Sequence, residues 1–321
     1  MNRPAFIITI DTEGDNLWSR PKQVQTENAR FLQRFQDLCE KFCFPPTYLT
    51  NREMAINPIF VAMAKNAIDS RTAEVGMHLH PWDSPPIHSI TKDDSAHHPF
   101  LIDYPVDLMA AKIDYITKLL EDTFHVKMSS HRAGRWAFNE TYARLLVERG
   151  YQTDCSVTPG HSWSKASGAP GRFGADYTNF PNEPYFLDLE DISRPGDSLL
   201  LEVPMTIHRS VLKQRLPSIY EVPIVSRLVN RVAPPLNWLR PTGRNLQSML
   251  AIVENAELQN APYIEFMIHS SEFMVGGSPY FPDQSSIDRL YSDIEVLFKR
   301  ISRRFVGMTL SGFRQSWQLS I

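Results

Sequence analysis

The sequence is poor in the features that most readily disclose a function. Only three cysteines occur in 321 residues, Cys39, Cys43 and Cys155, and none forms a CxxC pair. A disulfide scaffold and a cysteine-type zinc site are therefore excluded, and reduced thiols are expected. No apolar run approaches the ~20 residues that cross a bilayer, so at most peripheral membrane contact is expected. Met-Asn-Arg-Pro, a short apolar run and then Asp11 and Glu13 do not read as a secretory signal, and a cytoplasmic location is expected. Charge of one sign is lacking too: 33 Lys+Arg against 36 Asp+Glu give −3, which excludes holding nucleic acid by bulk charge. There is no Gly-x-Gly-x-x-Gly or Walker-type loop to bind a nucleotide cofactor. A Gly-x-Ser-x-Gly elbow for an acyl-serine mechanism is likewise missing.

What is present is an alternation of strand-like and helix-like segments. Ala5–Asp11 is a β-rich run, and Thr26–Phe42 carries Phe31, Leu32, Phe35 and Leu38 at helical spacing. Strands are predicted at Thr47–Thr50, Glu74–His80, Val126–His131, Tyr151–Val157, Leu199–Val203, Tyr263–His269 and Phe305–Leu310. Helices fall between them. Asn57-Pro58 and Asn139 supply N-caps, and Gly150 suits a helix C-terminus that needs positive φ. Repeated βα units favour a mostly parallel sheet or barrel. Two stretches interrupt the pattern. Thr158–Pro184 is a long loop, and His208–Asn245 holds seven Lys/Arg and one acid, a local charge of +6 that leaves −9 elsewhere. Ile224, Val225, Leu228, Val229 and Val232 form a helical stripe within it, read as a covering helix or as an arm for an anionic substrate or membrane surface.

In βα barrels the chemistry collects at the C-terminal ends of the strands. Asp11 and Glu13 end the first strand, His78 and His80 the third, Arg132 follows the fourth, Asp154 lies late on the fifth, and His269 ends Tyr263–His269. Residues i and i+2 share a face of a strand, so His78 and His80 can present two imidazoles to one point. Two imidazoles with a carboxylate and an open position form the ligand set of a hydrolytic zinc site. Trp82, Trp136 and Trp163 lie in loops on the same side and suit stacking on a sugar ring. Arg135 suits a carboxylate or phosphate. Ser270, Ser271, Gly276 and Gly277 are read as a hydrogen-bonding rim.

Taken in order, several segments resemble the motifs of NodB-type polysaccharide deacetylases, carbohydrate esterase family 4. They are Thr9-Ile10-Asp11-Thr12-Glu13, Glu74-Val75-Gly76-Met77-His78, His131-Arg132-Ala133-Gly134-Arg135-Trp136, Asp154 within Tyr151–Pro159, and Ile268-His269. The resemblance implies an α/β fold, an irregular (β/α)7 barrel with loop and helical insertions. One domain is expected over residues 1–321, with a basic, partly helical insertion at about 208–245. It also implies Asp11 as general base, Glu13 and His78 as ligands of one divalent metal (zinc is expected), and His269 as general acid. Arg132 would orient Asp11 and Asp154 would tune His269. The family's second histidine ligand follows the first by four residues, where this chain has Trp82; His80 is expected instead, with His88 in reserve.

The function so implied is a metal-dependent hydrolase that removes an N-acetyl group from a sugar in surface polysaccharide biosynthesis, of O-antigen, lipopolysaccharide or capsule type. The expected substrate is nucleotide- or lipid-linked. Two alternatives stand beside it: a related amide or formamide hydrolase, and a non-catalytic member that binds a glycan or a partner.

Overall fold

A computed structural model describes residues 3–19, 21, 23–166, 168–169, 171–210 and 235–319. The stripe from Ile224 to Val232 and most of the basic insertion lie outside the described residues.

Seven parallel strands run in the spatial order β11-β1-β2-β3-β4-β5-β8. They are β1 (Ala5–Thr12), β2 (Pro46–Thr50), β3 (Glu74–Leu79), β4 (Ser130–Ala133), β5 (Thr153–Asp154), β8 (Leu201–Glu202) and β11 (Tyr263–His269). Antiparallel β6 (Tyr185–Asp188) and β7 (Asp191–Pro195) extend the β8 edge, and β9 (Ile207–Arg209) pairs separately with β10 (Leu236–Trp238). β12 (Val306–Met308) pairs with the first half of β1, while β2 takes the second half. Loop contacts bridge from the segment after β8 to β11: Tyr263 donates to the Pro204 carbonyl and the Glu265 amide to Thr206 Oγ1 at 2.8 Å. Helices Leu32–Lys41, Pro58–Asp69, Val106–Phe124, Glu140–Glu148, Leu246–Leu258 and Gln284–Ile301 connect the strands and cover the sheet.

Strand periodicity explains where the site lies. On β1, Phe6, Ile8 and Ile10 join the large core under the helices, whereas Ala5 and Ile7 enter a small inner cluster with Leu49, Cys155, Leu201, Val203 and Tyr263. Helix Leu310–Gln318 closes that cluster from below with Leu310 and Phe313. Continuing the same alternation, Thr9 and Asp11 also face inward, at the upper end. β3 behaves alike: Val75, Met77 and Leu79 belong to the helix-side core, leaving Gly76 and His78 on the inner face.

Several expected boundaries shift for local reasons. The helix expected over Thr26–Phe42 begins as a 3-10 turn, Glu27–Phe31, because the Asp15 carboxylate accepts the amides of Glu27 and Asn28 at 2.9 Å. The fourth strand starts at Ser130, not Val126, since the Met128 amide is taken by Glu121 Oε1. Tyr151–Val157 contracts to Thr153–Asp154, and the terminal helix and β6, β7, β9 and β10 were not expected. Asn57 and Asn139 cap their helices, and Gly150 has φ +82°.

Candidate active site and metal centre

The upper inner end of the barrel opens into a cavity of about 240 Å³. Asp11, Glu13, His78, His80, Trp82, Arg135, Trp136, Trp163, Arg240 and His269 line it, drawn from four strand ends and the loops beyond them. In register, Asp11 sits beside His269 and His78 beside Arg132.

Among the described residues, Glu13, His78 and His80 form a buried group whose donor atoms all lie within 4.8 Å of one another. Glu13 Oε2 is 2.9 Å from His80 Nε2 and 3.6 Å from His78 Nε2. His78 Nδ1 donates to the Arg132 carbonyl at 2.9 Å, which fixes the tautomer and leaves Nε2 free to ligate. Burial would raise the Glu13 carboxyl, but the adjacent imidazoles of His78 and His80 outweigh it and hold Glu13 well below the usual range. A buried carboxylate facing two imidazole nitrogens is a donor set that suits a divalent cation with one position left open. The residues present therefore fit a metal. His88 is exposed and lies outside this group. Trp82 stacks on the His80 ring at 4.3 Å instead of offering a ligand.

Asp11 is held by Arg132, whose Nη1 donates to Oδ1 at 2.7 Å. The same guanidinium, fully buried, bonds Thr9, Glu265 and the Cys155 carbonyl. Burial opposes ionisation of Asp11, yet Arg132, His78 and His269 together keep its pKa below the ordinary value. His269 Nε2 stands 3.7 Å from Asp11 Oδ2 and 3.8 Å from Glu13 Oε1. A base candidate and an acid candidate thus flank the carboxylate–imidazole group.

Asp154 is not where the sequence placed it. Its carboxylate bonds His131 Nδ1 at 2.5 Å, and His131 Nε2 meets the Tyr142 hydroxyl at 2.8 Å. Strand parity is the cause. Cys155 points into the barrel, so its neighbour Asp154 points to the helix layer with its register partner His131. The group beside His269 is Glu272, which follows it by three residues on the turn Ser270–Phe273. Arg240, one of the seven basic residues of the His208–Asn245 stretch, was not assigned a place beside Glu272, and no local pattern marks that role. Glu272 does carry a signal: an acid three residues beyond a helix-starting position has capping-box spacing.

The substrate-side candidates form the cavity wall. The Arg135 guanidinium lies over Trp82 at 5.2 Å, and Arg132 lies over Trp136 at 4.7 Å. Trp136 in turn stacks with Trp163, 6.4 Å between centroids. Arg135 and Trp136 adopt φ of 54° and 60°, a left-handed conformation that costs roughly 1–2 kcal/mol per non-glycine residue. Such strain is typical of backbone held for function. Ser270 and Ser271 are buried, and Ser270 is no open rim: its hydroxyl accepts the Glu13 amide at 3.0 Å and donates to the Glu13 carbonyl at 2.9 Å.

No family model matches the sequence, and no curated protein matches it. Solved structures do match in fold. A Parabacteroides distasonis protein, provisionally described as a glycoside hydrolase/deacetylase, aligns at TM-score 0.62 and 8% identity over 99% of this chain and 72% of its own. A Mycobacterium smegmatis protein, provisionally described as a polysaccharide deacetylase, aligns at TM-score 0.55 and 12% identity over 99% and 92%. The 4-alpha-glucanotransferase of Thermococcus litoralis aligns at 0.54 and 13%, with 98% of this chain matching 40% of that one. The chain therefore has the fold of the NodB-type polysaccharide deacetylases, an irregular (β/α) barrel.

Proposed function

We propose that the protein is a metal-dependent N-deacetylase acting on an N-acetylated sugar. The observation that carries this reading is the Glu13–His78–His80 group with Asp11 and His269 flanking it in one cavity. Zinc suits a set of two imidazoles and a carboxylate, and when bound it polarises the amide carbonyl and acidifies water. Asp11, ionised by Arg132, takes the proton of the attacking water. His269 supplies a proton to the departing amine, which cannot leave as an anion. Trp82, Trp136 and Trp163 offer faces to a sugar ring. The cavity lies below the ~300–1,000 Å³ common for small-molecule sites, which favours a single sugar unit. Arg135 on its wall suits a phosphate-bearing substrate, nucleotide- or lipid-linked, and the setting we propose is surface polysaccharide biosynthesis of O-antigen or capsule type.

Metal content, followed by acetate release from a panel of N-acetylated sugars, tests the reading. About one ion per chain is expected, lost in His80→Ala and kept in His88→Ala. No bound metal after reconstitution, or metal without acetate release from any sugar, would overturn it.

A further inference from the structure

We infer that Glu272, locked by Arg240, is the residue that orients His269, in place of Asp154. This rests on the deacetylase reading for its kinetic consequence, but not for its structural one. Glu272 is fully buried and both of its carboxylate oxygens are engaged. Oε2 accepts the His269 backbone amide at 2.9 Å and lies 3.2 Å from the imidazole Nδ1. Oε1 accepts from Arg240 Nη2 at 3.1 Å. The carboxylate is thus tied to the main chain of the residue whose ring it holds. That leaves the imidazole little freedom to rotate.

Arg240 Nη2 also lies 3.2 Å from His269 Nδ1, so this nitrogen has a carboxylate acceptor and a guanidinium donor at equal distance. Either bond is charge-assisted, and Nδ1–H to the carboxylate is the choice that leaves the Arg240 guanidinium to its bond with Glu272 Oε1. It sends Nε2 toward Asp11 and Glu13, where a leaving amine would be protonated. Burial works against an ionised Glu272, but Arg240 and His269 overcome it and keep its pKa low. Trp18 closes the remaining side, edge-on to the imidazole at 4.7 Å. Asp154 cannot share the task, because it faces the helix layer and is bonded to His131.

The test combines nitrogen NMR of His269 in metal-free protein with kinetics of the reconstituted enzyme. Wild type is expected to show the Nδ1–H tautomer when neutral. Glu272→Gln should shift it toward Nε2–H, with Nδ1 accepting from Arg240. Asp154→Asn should leave the His269 tautomer as in wild type. Should Glu272→Gln fail to fold, Glu272→Asp, whose shorter side chain withdraws the carboxylate from Nδ1 and leaves Arg240 as its neighbour, is expected to loosen the same preference. In turnover, Glu272→Gln should lower kcat on an N-acetyl sugar about 100-fold with KM little changed. It should act far less on an aryl acetate, whose leaving group needs no proton. An unchanged tautomer in the Glu272 variant, or equal losses on both substrates, overturns the assignment. If wild type deacetylates nothing, the functional reading fails while the tautomer result still decides the role of Glu272.

Discussion

Gly134 has no side chain because His80 needs the space. A Cβ built there would stand 2.3 Å from the Leu79 carbonyl and 2.7 Å from His80 Nδ1. Gly134→Ala therefore presses on both the strand end and the imidazole, and is expected to move the ring away from Glu13. Metal affinity is expected to fall by 10- to 100-fold, as for other losses of ligand support, measured by competition with a chelating dye. Unchanged affinity would mean that the strand end yields instead. Glu265 makes a different kind of prediction. Burial raises its carboxyl from 4.5 to about 7, against the pull of Arg132 and the bond from Thr9. Between those values the folded chain holds a proton that the unfolded chain has released, so this contribution to stability falls as pH rises through the window. Glu265→Gln removes the titration. The stability of wild type relative to the variant should decline by up to about 3 kcal/mol from pH 4.5 to 7 in urea unfolding. A pH-independent difference would show Glu265 ionised throughout.

At the level of elements, Lys112 links helix Val106–Phe124 to the loop that follows His80. Its ammonium, completely buried, donates to the carbonyls of Pro81, Ser84 and Pro86 at 2.6 to 2.8 Å. Lys112→Met would strand three acceptors, at roughly 1–3 kcal/mol for each one left unpaired. The loop carrying Trp82 should then become the first site of proteolytic cleavage, with a stability loss of about 3 kcal/mol. Resistance equal to wild type would rule the staple out. Elements with a clear period were legible in the sequence: Tyr263–His269 has the predicted bounds, and the Asn57 and Asn139 caps lie where expected. Short strands were less so. β5 and β8 are two residues each, too brief for alternation to be read, and their limits come from neighbours across the sheet. The misplacement of Asp154 has the same root, since which face it takes depends on register with His131 and not on its own segment. The pairing of Glu272 with Arg240 was not legible because a contact between a turn and a distant loop leaves no periodic trace, although Glu272 alone has capping-box spacing.

For the whole molecule, the proposed ligands come from β1 and from the end of β3, so a bound ion would link two strands separated by β2. Anything that binds only the folded chain stabilises it, by about 2.7 kcal/mol at a hundredfold excess over Kd. Thermal unfolding of metal-loaded protein should be about 5 °C above that of chelated protein. Coincident midpoints would remove the site from the stability of the fold. No helix among the described residues is long and apolar enough to cross a membrane. The central position of β1 carries one more consequence. Its partners β11 and β12 lie near the other end of the sequence, and Glu13 is clamped by Ser270, 257 residues away. During synthesis, β1 emerges long before β11 and β12 and can pair only with β2 until β11 has been made. Base and acid candidates meet only when β11 joins, so a nascent or truncated chain ending before β11 holds half a site and leaves one edge of β1 open. That open edge, with the apolar side chains of Phe6, Ile8 and Ile10 beside it, is what a chaperone would meet first.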